Sequence, residues 1–422
     1  MKKSVKTFFG SLLAITMCIN SPGIAMAVPI SNGKGYVQEQ KAAEEKLVKE
    51  QPTEEYEQEY ATASEVKRKR AQVASADEQS DWNIDKNGRL NSYNGKDTEV
   101  CIPDTVVTIG HNAFRDNQNL CKVSIPEGVT MIEGGAFAKC PNLKEVNFPK
   151  SLTNLGTGAF YQCTSLQEIC ITGNWKPISI GLVNGLTWAT KGPFSDCSQL
   201  KKVIFDEGVT TIPSNLFFVC NGIIEMDLTG ITEIGKSAFK ECIELKEVKL
   251  DPKLEKIPDS LFFGCVKLET IDLSGIETIG KEAFKGCKSF VGKGGLIGWL
   301  ENLLGKIGLN LESIITIGED AFAECTSLKK IALGKKLNKI EKNALGAPNL
   351  KVAHFLDDQY SKEKIKDGNV QFFSKDAPLT VYVYEDSSIH QYIKWWNENY
   401  EDNKITFEVV VRLIMRISLR IL

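Results

Sequence analysis

The chain has 422 residues, with 51 basic against 54 acidic side chains and a formal net charge of −3. That balance provides no basic field to gather a polyphosphate, so long-range attraction to nucleic acid is not indicated and no nucleic-acid partner is expected. Its 42% hydrophobic content is enough to build a core, and 12 cysteines raise the question of disulfides.

Met1–Ala27 reads as a secretory signal peptide. Lys2, Lys3 and Lys6 charge its start, Phe8 to Ile19 is apolar, and Ala25-Met26-Ala27 fits a small-x-small cleavage site. The apolar run is too short to span a membrane comfortably. A competing reading makes Cys18 a lipid-modified first residue, with Met17 standing where a small residue is expected. Residues 28–80 are polar and charged, so they form a flexible linker, with transient helix around Gln38–Val48. Lys67-Arg68-Lys69-Arg70 within it is a solvated segment, a protease-sensitive site or a contact for acidic envelope polymer. The expected location is secreted or at the cell surface.

A unit of 22–23 residues then recurs about ten times between Val100 and Leu350. Its marker is an Ala-Phe or Leu-Phe pair with Cys three residues after the Phe and Leu six after. The phenylalanines are Phe114, Phe137, Phe160, Phe194, Phe217, Phe239, Phe262, Phe284 and Phe322, with Leu345 in the tenth place. Self-similarity at this period means a solenoid, in which each coil buries its apolar side only against its neighbours. In the copy VTMIEGGAFAKCPNLKEVNF, Val129 and Ile132 begin an extended stretch. Gly134 and Gly135 permit a bend, and Ala136 and Phe137 open a short helical turn with Cys140 one turn on. Leu143, Val146 and Phe148 then give a half-buried strand that Pro149 ends. Stacked about 4.8 Å apart, ten parallel strands make a slab roughly 45–50 Å long.

Eight cysteines keep the repeat: Cys140, Cys163, Cys197, Cys220, Cys242, Cys265, Cys287 and Cys325. One such residue per coil forms a ladder, and the reading favoured is packing of small buried hydrophobes. Stacked parallel side chains rarely reach disulfide dihedrals, and a straight ladder does not converge on a metal. Cys101 and Cys170 fall on the exposed strand column, three coils apart. Free thiols in an exported protein fit a reducing habitat. No cofactor or metal is expected.

Two insertions interrupt the period, one near residues 173–192 and one near 290–312. The first holds Trp175 and Trp188. In the second, Leu296, Trp299, Leu300, Leu303 and Ile307 follow helical spacing, so Gly294–Asn310 is an amphipathic helix, packed on the solenoid or presented to a membrane or partner with Trp299 as anchor. Insertions often mark a binding face, which makes Trp175, Trp188 and Trp299 candidates. The tail Val409–Leu422 places Arg412, Arg416 and Arg420 four apart; it is a basic amphipathic segment, an added strand or unstructured sequence.

The stretches IPDTVVTIGHNAF (Ile102–Phe114) and IPEGVTMIEGGAF (Ile125–Phe137), each with a trailing Leu six residues after the Phe, resemble the bacterial BspA-type leucine-rich repeat across roughly residues 82–408. The resemblance implies an α/β repeat solenoid, a right-handed coil with a parallel strand face, short helical turns and terminal caps. The repeat region is placed at 81–383, with Trp82–Tyr93 resembling the family's entry strand-turn-strand. The terminal cap is placed at 384–408, built from a strand at Leu379–Tyr384, a helix at Ser387–Tyr400 and a strand at Ile405–Phe407. It further implies secreted or surface proteins, some of which bind host proteins such as fibronectin and fibrinogen. In such a solenoid the polar residues beside each strand's apolar pair face outward. They include Glu145, Glu168, Glu225, Asp227, Glu247 and Asp272, a column that leans acidic in its middle and suits a basic patch on a protein partner. An ion shared between adjacent carboxylates is the weaker option. His111, His354 and His390 are the three histidines, none near a nucleophile motif, so no enzyme is expected. The functional expectation is protein binding or adhesion to host or neighbouring-cell components, a host extracellular-matrix or plasma protein being one such partner. The alternatives are an envelope scaffold and membrane contact through residues 294–310.

Overall fold

The computed structural model describes residues 81–178, 191–292, 308–355, 373, 379–384, 388–399 and 406–410. The expected signal peptide and linker, Trp188, Trp299, nearly all of the 294–310 segment and the tail beyond Val410 lie outside the described residues.

Each coil contributes two short strands and one corner. One strand is built on a Thr-Ile or similar pair, such as Met131–Ile132 or Thr211–Ile212; the other carries the L-x-x-V-x-F pattern, such as Glu145–Asn147 or Glu225–Leu228. Strands of the same kind pair in parallel from coil to coil, as in Thr108↔Met131↔Asn154 and Lys122↔Glu145. Two stacks of parallel strands result. The alternation is one residue in and one out, as in Glu225–Leu228, where Met226 and Leu228 are buried and Glu225 and Asp227 exposed. The Thr-Ile stack begins with an antiparallel pair, Trp82–Ile84 on Arg89–Tyr93. The other stack ends with Thr380–Tyr384 and Thr406–Val410, and the helix Ser388–Asn399 lies between these two in sequence.

The core runs through the middle of every coil. All nine repeat phenylalanines are 0–1% exposed, and each stacks on the next with ring centroids 4.7 to 6.2 Å apart. Burying one such ring contributes about 1.5–3 kcal/mol, so no coil is stable without both neighbours. Tyr93 closes the first end of this stack at 5.2 Å from Phe114, with Trp82 against Tyr93 at 4.6 Å.

The corners correct one expectation. The Ala-Phe stretch is not a helical turn; it alternates between right- and left-handed backbone. Gly135 and Lys139 (φ 67° and 59°) flank Phe137, Asn215 and Val219 (59° and 60°) flank Phe217, and Ser237 and Glu241 (57° and 60°) flank Phe239. The reason lies in the donors. A helix would turn every N–H back along its own axis. Here the N–H groups of Gly135, Phe137 and Lys139 donate to Thr157, Ala159 and Tyr161 of the next coil, and only Ala136 and Ala138 close local turns. The corner is therefore a third coil-to-coil ladder. Close approach goes with it: a Cβ on Gly156 would fall 2.3 Å from the Gly134 nitrogen.

The cysteine ladder belongs to the same corner. Each thiol donates to the carbonyl of the Phe one coil back, at 3.0–3.2 Å in all eight cases, for example Cys140 to Phe114 and Cys242 to Phe217. That carbonyl also accepts the amide of the Cys in its own coil, as Phe217 O does from Cys220. All eight are fully buried and free. In the first coil no earlier Phe exists, and Asn117 takes the Cys place, its side chain accepting from the amides of Asn119 and Leu120.

Candidate functional site

The face of the L-x-x-V-x-F strands carries most of the residues singled out from the sequence, and the stacking brings them into rows. Glu145 faces Lys122 at 2.7 Å, Glu168 faces Lys202 at 2.8 Å, and Asp227 faces Lys249 at 3.0 Å. Three of the six acids are thus answered by a lysine one coil away. Each such pair is largely exposed and contributes little, on the order of 0–1 kcal/mol. Burial tends to raise the Asp227 carboxyl, but hydrogen bonds from Thr229 and the Lys249 ammonium outweigh it and hold the group below its ordinary range. The same logic raises Lys122, through its bond to Glu145.

Glu225 and Glu247 differ. They lie directly across from one another in the parallel ladder Glu225↔Glu247, both exposed, and neither meets a lysine or arginine among the described residues. Like charges opposite each other on a sheet are destabilising. Among the described residues Asp272 accepts only from the Ser274 amide of its own turn, at 3.0 Å. Glu247 and Asp272 border a groove of about 360 Å³, which Lys249, Asp251, Thr270 and Ser274 also line. The groove sits where the row of strands stops: Thr270–Ile271 pairs backward with Glu247–Val248, and the next sheet begins afresh at Leu309–Leu311.

The C-terminal part of the face has another character. Ala332 and His354 occupy the outward column in register with Asn310 and Tyr382, yet Ala332 is 0% and His354 4% exposed. His354 stacks on Tyr382 at 4.5 Å, and burial pushes its imidazole down to about 4. Unlike the column from Glu145 to Asp272, this stretch keeps its outward positions Ala332 and His354 enclosed.

Trp175 also lies away from the outward surface. It is 2% exposed and packs between Phe148 at 4.9 Å and Phe194 at 6.4 Å, filling core at the first insertion. It continues the column of Thr130 and Thr153, whose side chains are exposed, so its repeat position gave no sign of burial. Cys101 is exposed and Cys170 half-buried, three coils apart in the same column. Among the described residues, no cluster of three or more His, Cys, Asp or Glu is arranged to hold a metal ion, and no helix is long and apolar enough to cross a membrane.

Residues 91–186, 179–291 and 303–379 match the repeat described as BspA type leucine rich repeat region, in six copies. No curated protein matches the sequence. Among solved structures, a leucine-rich repeat protein from Bacteroides ovatus is 23% identical with a TM-score of 0.40, over 74% of this chain and 84% of that one. A leucine-rich repeat protein of T. pallidum is 23% identical with a TM-score of 0.35, over 57% and 96%. A leucine rich cell surface protein from Faecalibacterium prausnitzii is 19% identical with a TM-score of 0.38, over 65% and 86%.

Proposed function

This chain belongs to the BspA-type leucine-rich repeat family, and from that premise we propose that it is a secreted or cell-surface, non-catalytic protein whose outward strand face binds a protein partner through a basic patch. The observation that carries this reading is the Glu225/Glu247 pair. Two carboxylates held side by side on neighbouring strands cost stability, and no cation of the described chain relieves them. A lysine or arginine from a partner would relieve both, and the groove beside Glu247 and Asp272 offers room for its side chain. The surrounding frame is rigid, because the strands beneath are tied by ladders and a stacked core, so little ordering is needed on binding.

The test is binding of purified full-length protein to an immobilised panel of extracellular-matrix, plasma and bacterial-envelope components. Saturable binding to one protein, weakened about tenfold or more by Glu225→Gln with Glu247→Gln and little by Glu145→Gln, supports an adhesive role. Binding to envelope material alone transfers the reading to a scaffold. Saturable protein binding that ignores the Glu225/Glu247 change rejects this face as the site.

A further inference from the structure

The corners carry a second surface, independent of the strand face. Lysines recur there at two places in the coil, three residues before the Phe and one residue after it. Most are neutralised by acids of the next coil. Lys236 meets Asp259 at 2.7 Å and Lys281 meets Glu319 at 2.7 Å, while Lys285 meets Asp320 at 3.0 Å. Lys191 and Lys240 occupy the same two places with no carboxylate partner among the described residues. Their ammonium groups rest instead on aromatic rings: Lys191 is 4.6 Å from the centre of Phe218, and Lys240 is 4.5 Å from Phe263 and 6.0 Å from Phe218. The order along the ridge is cation, ring, cation, ring.

A ring holds a cation in place without cancelling its charge. These two ammonium groups are therefore oriented and still able to take an anion, unlike their position-matched neighbours. Both lie against the same Phe218 ring, 4.6 and 6.0 Å from its centre, so they form one pair of cations around a shared aromatic surface. Duplex DNA carries a phosphate about every 3.4 Å of its axis on each strand, so two cations answer only a small part of its charge. Asp196 and Glu241, which follow the Phe by two residues on the same ridge, would repel the surplus charge. A polymer with sparse negative charge and apolar sugar faces fits better, since Phe218 and Phe263 are only half-buried and offer ring surface beside each ammonium. We propose that the Lys191–Phe218–Lys240–Phe263 ridge binds a linear anionic glycan, one acidic group at each lysine.

The experiment titrates full-length protein with size-fractionated hyaluronan, which carries carboxylates only, with chondroitin sulfate, which adds sulfates, and with neutral dextran. Wild type is compared with Lys191→Gln/Lys240→Gln and with the position-matched Lys236→Gln/Lys281→Gln. The expected result is binding to at least one acidic chain and none to dextran. The first variant loses about tenfold in affinity, and the binding that remains depends less steeply on salt, as the loss of two charge contacts requires. The second variant stays within about twofold. Lys191→Arg/Lys240→Arg retains binding, which separates charge from a folding defect. No binding to either acidic chain, equal loss in both glutamine variants, or equal binding of a short oligonucleotide overturns the proposal. Glu225→Gln/Glu247→Gln should leave glycan binding intact, so failure here and failure of the strand-face reading are told apart.

Discussion

The cysteine ladder can be tested by a pair of substitutions whose order depends on what the thiol does. Cys242 is fully buried and donates to Phe217 O at 3.1 Å. Cys242→Ala removes one buried heavy atom, about 1 kcal/mol of transfer free energy before any cavity term. A lost weak hydrogen bond adds less than about 1 kcal/mol, because Phe217 O keeps the Cys220 amide. The total is about 1.5–2.5 kcal/mol. Cys242→Ser separates the readings. If the thiol only packs, serine buries a hydroxyl without a partner and falls a further ~1–3 kcal/mol below alanine. With Phe217 O in place to accept, serine should instead lie within about 1 kcal/mol of alanine. Urea unfolding measures the difference, provided the slope is unchanged between variants, since repeat arrays can lose two-state behaviour. Serine far less stable than alanine, at equal slope, would refute the hydrogen-bonded role.

Other consequences follow from burial and backbone. Alkylation of native protein at mild pH should label Cys101 first and Cys121 and Cys170 more slowly, with the eight ladder cysteines modified only on unfolding, as read by intact mass; early label on a ladder position would contradict the structure. Burial raises the ladder thiols from Cys163 to Cys325, Cys242 to about 12, well above an unfolded thiol. Their contribution is therefore complete below about pH 8.5 and declines above it, as the unfolded chain ionises and the folded one does not, by up to about 1.4 kcal/mol per pH unit per thiol. Unfolding between pH 8 and 10.5 should show this slope, and Cys→Ala changes should flatten it. His354 runs the other way: burial lowers it to about 4, so its contribution is present above about pH 6.5 and lost as pH falls toward 4. His354→Gln should remove that part of the acid sensitivity, and an unchanged profile would show that other groups carry it. Val219 is a β-branched residue at φ 60°, so Val219→Gly should stabilise by about 0.5–1 kcal/mol in a thermal melt, with destabilisation as the contrary outcome.

The repeat made much of the fold legible. The Phe and Cys positions and the L-x-x-V-x-F strands follow from the period, the outward column was read from the resemblance to leucine-rich repeats, and the strand, helix and strand after Leu379 appear close to where hydrophobic patterning puts them. The corner was misread because Phe and Cys three apart imitate helical spacing. A better signal stood two residues either side of the Phe: Asn112 and Asp116, Gly135, Gly158, Asp196, Asn215, Gly264, Gly286, Asp320 and Asn343, the residue types that tolerate positive φ. Charge was legible residue by residue but not pair by pair. That Glu145 and Glu168 are neutralised while Glu225 and Glu247 are not depends on which coil stands next in register, which the two insertions and the one-residue changes of period obscure.

Those insertions also show which part of the coil tolerates change. The first falls after Lys176–Ile178 and ends that stretch of the Thr-Ile stack, yet Glu168 still pairs with Lys202 across it. The second falls before Leu309–Leu311 and interrupts the face strands, yet Thr278 still pairs with Thr316. Each insertion thus breaks one stack and spares the other. The corner is spared both times. Phe160 N donates to Pro193 O and Phe284 N to Ala321 O, the rings stack at 5.1 and 5.4 Å, and Cys197 and Cys325 reach back to Phe160 and Phe284 as in ordinary coils. The ladder with strained backbone is therefore the one kept continuous, which argues that the corner holds the coils in register. Strand pairing can lapse locally as long as the corner holds, and the groove beside Glu247 and Asp272 lies at one such lapse. On this account a residue added within the Phe-Cys corner should unfold the stack, whereas the same residue added between Ile178 and Lys191 should leave the melting temperature nearly unchanged.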